Sequence, residues 1–403
     1  MARLILHVDL NSFFASVEQQ LNPQLRGLPI GIIKEKGRSC VIACSNEAKI
    51  FGVKTGMSLQ EIRLVCPQLI LVPARFAEYG RMTRIFINLC SRFSDEMEIF
   101  SLDEVFLDIT HTAAWFGGPL ILAKKLQLEV QKKMGEWIGC SIGIAENKLL
   151  AKMASGVAPK RGILIITEAN KQALLNRVPF TEVCGIGWHL TKRLNALGIN
   201  SLPQILTFPE DQLKLCFGPY WSDRLKQMAR GKDDSLLVTV FPQPKSVSRT
   251  FTLFQDTREL QLIKATLRNL VEEACAKLRR LGLAGRQFGV AVRGQRHTRA
   301  DFVTRKACTD CGSRVFSELY TIYNHWHWPY SVRFLVVWVG LLTRKDCLPE
   351  PLFSADKKQE KLWQTVDLIN QTHGSYMIYP GTLINQSISR PEINGFTKLT
   401  IGS

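Results

Sequence analysis

The sequence predicts a mixed α/β (α+β) protein of several domains, and three observations lead to this fold class. Strand-like apolar runs alternate with helical periodicity up to about residue 166, as in a mixed sheet covered by helices. Residues 174–234 then consist of short helices with short loops, and the Phe-Pro-Gln-Pro run at 241–244 has the composition of a linker. Beyond it, strand-like runs and one long helix predict a second α/β unit. A chain of 403 residues is long enough for about two to four such domains.

The first predicted strand, residues 4–8, ends at the acidic residue Asp9. Asn11 and Ser12 follow as a plausible N-cap, and the helix then begins at Phe13. An acid that ends a buried strand just before a helix is well placed to bind a metal ion or a phosphate. From these residues alone, it is equally reasonable that Asp9 merely caps the helix.

Two short strands are predicted next, at 30–33 and 39–44, followed by a short helix that Gly52 closes. Lys49 and Lys54 are candidates for binding a triphosphate, although either could be an ordinary surface lysine. The pattern then continues as helix 58–65, helix 77–93, strand 98–109, helix 119–137, strand 140–145, basic helix 147–155 and strand 163–166.

An acidic pair, Asp103 and Glu104, interrupts the apolar run at 98–109. Neighbouring strand residues point to opposite faces, and a carboxylate turned toward a core costs several kcal/mol unless it is paired or binds a metal. The pair is therefore either an acidic turn after a strand or a metal-binding pair that needs a third ligand. Asp9 can supply that ligand, and three such acids predict two Mg²⁺ ions about 4 Å apart. Asp108 is predicted to be a structural acid beyond this site.

The helical region contains the sequence Gly185-Ile186-Gly187, followed by a basic helix and by Leu197-Gly198-Ile199. A Gly-x-Gly hairpin between two helices exposes backbone N–H groups that can bind a phosphate without reading bases. These features favour a helix–hairpin–helix over a simple tight turn between helices.

Basic residues are concentrated after the linker, where 245–346 holds 18 Lys and Arg against 8 Asp and Glu. This excess of +10 is more than half of the chain's +17, which favours a nucleic-acid partner over an anionic membrane, and both over plain solvated charge. Strands at 246–253, 287–293 and 333–341 and a helix at 260–281 are predicted here, with tryptophans 326, 328 and 338 in the core.

The apolar runs, the N-terminus and the cysteines bear on the cellular compartment of the protein. No apolar run reaches about 18 residues, and the N-terminus becomes acidic too early for a signal peptide. The 11 scattered cysteines predict a reducing cytoplasm, and Cys308-x-x-Cys311 lacks the second ligand pair of a zinc site. After an apolar stretch at 348–353, an amphipathic helix is predicted at 357–370, and the last thirty residues are expected to pack loosely or be disordered.

Four sequence motifs, taken together, resemble those of the Y-family translesion DNA polymerases. They occur in the family's order and spacing and are Val8-Asp9-Leu10-Asn11-Ser12-Phe13-Phe14-Ala15, Glu47-Ala48-Lys49-Ile50-Phe51-Gly52-Val53-Lys54, Ser101-Leu102-Asp103-Glu104-Val105-Phe106 and Gly143-Ile144-Ala145-Glu146-Asn147-Lys148. The Gly185–Gly187 hairpin extends the resemblance, which covers about residues 1–345. Among relatives, Asn46-Glu47-Ala48-Lys49 and Val366-Asp367-Leu368-Ile369-Asn370 look most like the UmuC type, the catalytic subunit of DNA polymerase V.

The resemblance implies a right-hand polymerase. Its domains would be a palm (1–10 and 76–166), small fingers (11–75), a helical thumb with the helix–hairpin–helix (167–240), an α/β little finger (241–346) and a tail (347–403). The implied metal ligands, which are also the catalytic residues, are Asp9, Asp103 and Glu104, with the backbone carbonyl of Leu10. The other implied sites are a steric gate at Phe14, triphosphate contacts at Phe13, Asn46, Lys49 and Lys160, DNA contacts at Gly185, Gly187, Lys192 and Arg249, and a sliding-clamp peptide at Leu352 and Phe353.

Two positions depart from the family pattern. Many members carry Tyr and Arg where this chain has Asn46 and Lys49; Asn cannot stack, and Lys offers a point charge in place of a bidentate fork. The palm lysine usually precedes a proline, whereas here Lys160 follows Pro159, which predicts a shift of one residue in register.

The expected function is template-directed DNA synthesis with Mg²⁺, or Mn²⁺ as a substitute, past damaged bases, with low fidelity and no proofreading. The expected partners are primer-template DNA, a dNTP, a sliding clamp and a UmuD-like accessory subunit, in the cytoplasm near the nucleoid and away from membranes. The alternatives are a catalytically silent, polymerase-shaped scaffold subunit, which would typically lack the acids, and a cyclase-like enzyme, which would not explain the hairpin or the basic region.

Overall fold

The computed structural model describes residues 3–34, 40–240, 242–350, 353–374 and 377–383. The chain divides into two compact units, and the division lies between Phe241 and Pro242. Within the described ranges, every helix is too short or too polar to cross a membrane. The predicted mixed α/β fold class is confirmed.

The first unit alternates strands and helices before it becomes helical. Its strands are β1 (Ile5–Leu10), β2 (Ile30–Ile33), β3 (Val41–Cys44), β4 (Ile70–Pro73), β5 (Met97–Ile99), β6 (Glu104–Asp108), β7 (Cys140–Ala145) and β8 (Ile163–Ile165). Its helices are α1 (Phe13–Leu21), α2 (Asn46–Ile50), α3 (Leu59–Val65), α4 (Phe76–Cys90), α5 (Pro119–Met134), α6 (Lys148–Val157), α7 (Glu168–Arg177), α8 (Trp188–Ala196), α9 (Gln204–Thr207) and α10 (Glu210–Ala229).

The five-stranded sheet of this unit has the order β5-β6-β1-β7-β8, with only the β7–β8 pair parallel. Strand β1 lies at its centre and is buried on both faces, as its apolar run predicts. Leu6 and Val8 pack into the core beneath α4 and α5, while Ile5 packs on the other face with α6. Asp9 shares this second face because strand residues alternate.

The predicted strand at 98–109 is in fact a hairpin of β5 and β6. The backbone N–H groups of Phe100 and Ser101 both donate to the carbonyl of Glu104, which closes a tight turn. Asp103 lies in this turn and Glu104 begins β6, so the single-strand prediction was wrong at this point. The apolar run hid the turn because residues on both sides of it are buried.

Two smaller regions complete the first unit. A three-stranded sheet of order β3-β2-β4 packs against α2 and α3. The helical region from α7 to α10 packs on α6, and its hairpin bends at Gly185, whose φ of +96° favours glycine. Helix α10 is interrupted at Gly218, where φ is +79°, just before Pro219.

The second unit is a four-stranded antiparallel sheet with helices on one face. Its elements are β9 (Ser246–Thr257), α11 (Leu260–Arg280), β10 (Leu283–Arg293), β11 (Thr298–Thr309), α12 (Gly312–His325), β12 (Val332–Arg344) and α13 (Ser354–His373), and the strand order is β11-β10-β12-β9. Strand β11 and helix α12 were not predicted. Strand β11 is an edge strand of mostly exposed, polar residues, so it lacks the apolar run that marked the others.

The tryptophans of this unit divide between the two faces of the sheet. Trp326 and Trp328 pack with the core, as predicted. Trp338 does not, because it alternates with the core residues Val337 and Val339 and its indole lies across the backbone of Gly289 on the opposite face. A methyl group at Gly289 would approach that ring to 2.0 Å.

Helix α13 confirms the predicted tail helix and extends it at both ends. Arg279 of α11 makes two hydrogen bonds to the carboxylate of Asp367, at 2.5 and 2.8 Å, and its guanidinium lies 4.9 Å from the Trp363 ring centre. Phe353, from the predicted clamp peptide, is 72% exposed, whereas Leu352 and the last twenty residues lie outside the described residues.

Candidate active site

Three acidic residues come together where β1 meets the β5–β6 hairpin. Asp9 of β1 and Glu104 of β6 are direct partners in the antiparallel pair. The carbonyl oxygen of Asp103 accepts a hydrogen bond from the N–H of Leu10 at 2.9 Å, which ties the hairpin turn to the end of β1. Residues almost one hundred positions apart in the sequence therefore form one cluster.

Burial and mutual repulsion govern the protonation of this cluster. Burial, with the added repulsion of the Glu104 and Asp103 carboxylates, raises the pKa of Asp9 to about 8, and the charge of Lys152 opposes this shift. Burial also raises the pKa of Asp103, although the hydroxyl of Ser101, which donates to its Oδ1 at 2.5 Å, opposes that shift. Asp9 therefore holds a proton near neutral pH unless a cation compensates the cluster.

One lysine and one histidine line the cluster from α6 and β1. Lys152 Nζ lies 2.7 Å from Glu104 Oε2, and His7 Nε2 lies 4.0 Å from the same oxygen. Burial lowers the pKa of His7 well below its ordinary value, and the Lys152 charge lowers it further, so the imidazole is neutral. His7 Nδ1 is hydrogen-bonded to Ser155 Oγ at 2.7 Å. Sequence reasoning missed both residues, although His7 shares the strand face of Asp9 by simple alternation.

The three acids offer the oxygen ligands that a divalent metal ion needs, but their side chains are not arranged as a complete metal site. Across the described parts of the chain, no three or more His, Cys, Asp or Glu side chains converge as ready metal ligands. Glu104 is paired with Lys152, and Asp103 accepts from Ser101. The donor set is nevertheless the one that Mg²⁺ prefers, a few carboxylate oxygens with room for water and substrate oxygens. A cation would also relieve the repulsion that raises the pKa of Asp9.

Ser12 joins the start of α1 to two candidate phosphate ligands on α2. It has a φ of +49°, in the left-handed region. Its hydroxyl donates to Asn46 Oδ1 at 3.0 Å and accepts from Lys49 Nζ at 2.9 Å. Lys49 and Asn46 thereby meet at Ser12, three residues after Asp9 in the chain, whereas Lys54 is exposed in the turn after α2.

Lys160 approaches the same region from the turn between α6 and β8. Burial of its ammonium group lowers its pKa, and the nearby charge of Lys49 lowers it further, with Asp9 acting in the opposite direction. The side chain therefore lies near both residues, even though Lys160 follows Pro159 in the sequence. Two neighbouring ammonium groups that repel each other are suited to an anion that would neutralise both.

Phe13 and Phe14 begin α1 and occupy different surroundings. Phe13 is 3% exposed and belongs to the core, so its side chain is not available to a triphosphate and only its backbone could contact one. Phe14 stacks on Tyr79 of α4, with ring centres 4.3 Å apart and planes 12° apart. The rings of Phe14 and Phe76 are nearly perpendicular, with their centres 6.3 Å apart and their planes at 89°. Phe14, the residue that the resemblance implies is the steric gate, is thus packed against two aromatic side chains of α4.

A buried carboxylate fixes this aromatic cluster. Glu18 of α1 is 1% exposed and accepts a hydrogen bond from the Tyr79 hydroxyl at 2.7 Å. Arg75 binds the same carboxylate through its Nε and Nη2 atoms. The burial of Glu18 is therefore compensated by a cation and a hydroxyl, and the contact locks α1 to α4.

The residues predicted to contact DNA have different surroundings in the two units. In the first unit, Gly187 is the N-cap of α8, and Lys192 lies on that helix with its ammonium 5.3 Å from the exposed Trp188 ring. In the second unit, Arg249 lies on the helix-facing side of β9, where its Nε is 3.4 Å from Glu273 Oε2. The structure therefore does not place Arg249 on the open face of the sheet, as a direct DNA contact would favour.

Comparison with known proteins covers most of the chain. The impB/mucB/samB family matches residues 8–156, the C-terminal domain of that family matches 244–346, and the HHH motif of the IMS family matches 168–199. The chain is 31% identical to DNA polymerase IV of Pelotomaculum thermopropionicum, over 93% of this chain and 94% of that protein. It is 30% identical to DNA polymerase IV 1 of Bacillus subtilis, over 98% of this chain and 97% of that protein.

Solved structures agree with these relatives. A Y-family DNA polymerase chimera matches with a TM-score of 0.74 and 27% identity, over 85% of this chain and 99% of that one. The insertion ternary complex of Dbh DNA polymerase matches with a TM-score of 0.57 and 26% identity, over 84% of this chain and 98% of that one. The chain therefore belongs to the Y-family DNA polymerases, the impB/mucB/samB family.

Proposed function

We propose that the chain is a DNA-directed DNA polymerase that adds a nucleotide from a dNTP to a primer 3′-OH opposite a template. It acts in translesion synthesis and DNA repair, with low fidelity and without proofreading. The observation that carries the proposal is that Asp9, Asp103 and Glu104 are neighbours at one end of β1, with Lys49 and Lys160 nearby. Membership of the Y family supports it.

The domains are those of a right-hand polymerase, with palm, fingers, thumb and little finger at the boundaries given above. The five-stranded sheet supports the palm, because its strands come from residues 1–10 and 76–166. The separate three-stranded sheet supports small fingers within 11–75. The division of the chain after Phe241 supports a little finger that begins beside it.

Two Mg²⁺ ions would be held by Asp9, Asp103 and Glu104, together with the backbone carbonyl of Leu10, and Mn²⁺ would substitute. When bound, such ions lower the pKa of the attacking hydroxyl and neutralise the leaving pyrophosphate. The chain itself contributes the buried carboxylates and positions them through the β1–β6 pair. Lys152 holds Glu104 in place by its 2.7 Å contact.

The triphosphate would lie between Lys49 and Lys160. Each lysine supplies one compact positive charge, and Asn46 supplies amide hydrogen bonds in place of a stacking ring. Ser12 orients both fingers residues, because its hydroxyl contacts the Asn46 oxygen and the Lys49 ammonium. Phe14 would meet the sugar and exclude a ribose 2′-OH by steric contact.

DNA would be bound mainly through its phosphates. The hairpin at Gly185–Gly187 offers backbone N–H groups, and Lys192 adds a cation on the following helix. Residues 245–346 carry a net charge of +10 by sequence, which predicts steeply salt-dependent binding.

Within the Y family, the chain is a UmuC-type polymerase that works with a UmuD-like accessory subunit and a sliding clamp. The Asn46–Lys49 version of the second motif and the Val366–Asn370 segment support this branch, although the relatives above carry the name DNA polymerase IV. Phe353, exposed ahead of α13, supports a clamp peptide. With these partners, the protein would act in a bacterial-type cytoplasm, close to the nucleoid.

Primer extension tests the proposal. The full chain is incubated with Mg²⁺, dNTPs and a labelled primer on an undamaged template and on one with an abasic site. We expect extension on the first and bypass on the second. DNA binding without extension on either template would instead indicate a catalytically silent scaffold subunit.

A further inference from the structure

Lys160 reaches the active site from an unusual turn. The sequence Pro159-Lys160-Arg161 joins α6 to β8, and Arg161 has a φ of +58°, which is rare for a residue with a side chain. Such a conformation persists only where the surrounding structure holds it. The contacts of this turn therefore decide where the Lys160 ammonium lies.

Asn11 holds the turn from the end of β1. Its side-chain oxygen Oδ1 accepts a hydrogen bond from the backbone N–H of Arg161 at 3.0 Å. Its amide nitrogen Nδ2 donates to Ser141 Oγ at 2.9 Å, and that hydroxyl donates in turn to the carbonyl of Pro159 at 3.2 Å. The Asn11 amide therefore has two hydrogen-bonded arms, one directly to Arg161 and one through Ser141 to Pro159, which are the residues on either side of Lys160.

The position of Asn11 is itself fixed. The residue is 7% exposed, and its backbone N–H donates to the carbonyl of Gly139 at 2.8 Å. Its backbone carbonyl accepts from Ser16 Oγ at 2.7 Å. Asn11 also follows Asp9 by only two residues, so the chain that carries the acid at the end of β1 also carries the amide that bonds the Lys160 turn.

An asparagine suits this role because its amide offers an acceptor and a donor in one rigid group. Arg161 needs an acceptor and Ser141 needs a donor, and their positions fix which amide atom points to each. A smaller side chain would leave the Arg161 N–H without this partner and release the strained turn. Ser141 is the cross-strand partner of Asp9 in the β1–β7 pair, so the turn bonded to Ser141 lies beside the acid, and the charges of Lys49 and Asp9 both act on Lys160 there.

We propose that Asn11 is the positioning residue for Lys160: its side-chain amide clamps the Pro159–Arg161 turn so that the lysine meets the incoming triphosphate. This inference rests on the triphosphate-binding role given to Lys160 under the proposed function. Asn11 does not touch the reacting groups in this role. Its effect should therefore appear in dNTP affinity and should depend on the presence of Lys160.

The test measures single-nucleotide insertion by the full chain, giving KM for the dNTP and kcat separately. The equilibrium affinity of the dNTP for a complex with a dideoxy-terminated primer is measured beside it. We expect Lys160→Ala to raise KM about tenfold or more, as for loss of a charged contact, and Asn11→Ala about fivefold, as for loss of one hydrogen bond. The double variant should be no worse than Lys160→Ala alone, and DNA affinity should be unchanged.

Two further variants keep the test decisive if Asn11→Ala folds poorly. Ser141→Ala removes only the arm to Pro159 and should raise the dNTP KM by a smaller factor than Asn11→Ala. Ser16→Ala removes a buried hydrogen bond to the Asn11 backbone without touching the turn, and it should leave the KM within about twofold, less than one hydrogen bond is worth.

The inference is overturned if Asn11→Ala leaves dNTP affinity unchanged, or if it weakens affinity by the same factor with and without Lys160. It is also overturned if Ser16→Ala has as large an effect as Asn11→Ala, because the role would then be general stability. If Lys160→Ala itself leaves dNTP affinity unchanged, the triphosphate role of Lys160 fails as well. Nucleotide insertion by the unmodified chain separately tests the polymerase function.

Discussion

The aromatic support behind Phe14 leads to a specific prediction about sugar selection. The Phe14 ring is 7% exposed and stacks at 4.3 Å on Tyr79, which is fully buried. Tyr79 is held in turn by its hydroxyl's hydrogen bond to Glu18. If Phe14 is the gate against a ribose 2′-OH, the stacked Tyr79 ring limits how far Phe14 can move back from it. Replacing Tyr79 by alanine gives the ring that space, and Tyr79→Phe is the matched control because it keeps the stack.

The size of the effect follows from packing. Forcing extra atoms against a well-packed side chain costs about 1–3 kcal/mol. That range corresponds to about 5- to 150-fold in kcat/KM between a dNTP and the matching rNTP. Tyr79→Ala should lower the selectivity by a factor in this range, and Phe14→Ala by at least as much. Tyr79→Phe should leave it unchanged, although losing a hydrogen bond to a charged partner should cost about 1.5–3 kcal/mol of stability.

The assay compares kcat/KM for insertion of a dNTP and of the rNTP with the same base. It is run below the melting temperature of the least stable variant, because Tyr79→Ala should lose about 3–5 kcal/mol of unfolding free energy. The reasoning is refuted if Tyr79→Phe loses as much selectivity as Tyr79→Ala. It is also refuted if Tyr79→Ala keeps the selectivity of the unmodified chain, whatever Phe14→Ala does.

Four further predictions address the acids, the metal, pH and salt. Asp103→Ala or Glu104→Ala should abolish primer extension and leave DNA affinity nearly intact in a gel-shift assay; extension by both would contradict the site. EDTA should stop extension and Mg²⁺ or Mn²⁺ restore it, whereas activity in excess EDTA would exclude the metal role. Although burial opposes the shift, hydrogen bonds from Thr110 and Arg3 lower the pKa of Asp108. This stabilisation should be complete above its unfolded pKa of ~3.9 and be lost as pH falls through the lower folded value, so Asp108→Asn should flatten the acid limb of melting temperature against pH. DNA affinity should fall steeply with salt in a titration from about 50 to 200 mM, and a flat profile would argue against phosphate binding.

Patterns that depend on local chemistry were readable from the sequence. The apolar run at residues 4–8 predicted β1, and the segments that follow Ser12 and precede Gly52 predicted α1 and α2 close to their observed bounds, although the Ser12 side chain does not cap α1. The acids Asp9, Asp103 and Glu104 were selected because carboxylates inside apolar runs need an explanation. Strand β11 lacked such a signal, since an edge strand exposes most of its side chains to solvent.

The face of a sheet toward which a side chain points was harder to predict than which residues belong to a strand. The family resemblance implied that Arg249 contacts DNA, but it did not say which face of β9 the side chain occupies, and in the structure its partner is Glu273 on the helix-facing side. Trp338 was expected in the core and lies instead over Gly289. Composition counts charges and rings, and it does not say toward which face each one points.

The sequence by itself determined the fold class, the family and the residue types of the candidate site, because these follow from local patterns and motif spacing. Only the tertiary structure decided how distant residues meet. The pairing of β1 with β6 sets Asp9 opposite Glu104, and the Asn11 amide holds the turn that carries Lys160. Such contacts join residues about 100–150 positions apart, and their energies depend on burial and on partners that no local window of sequence contains.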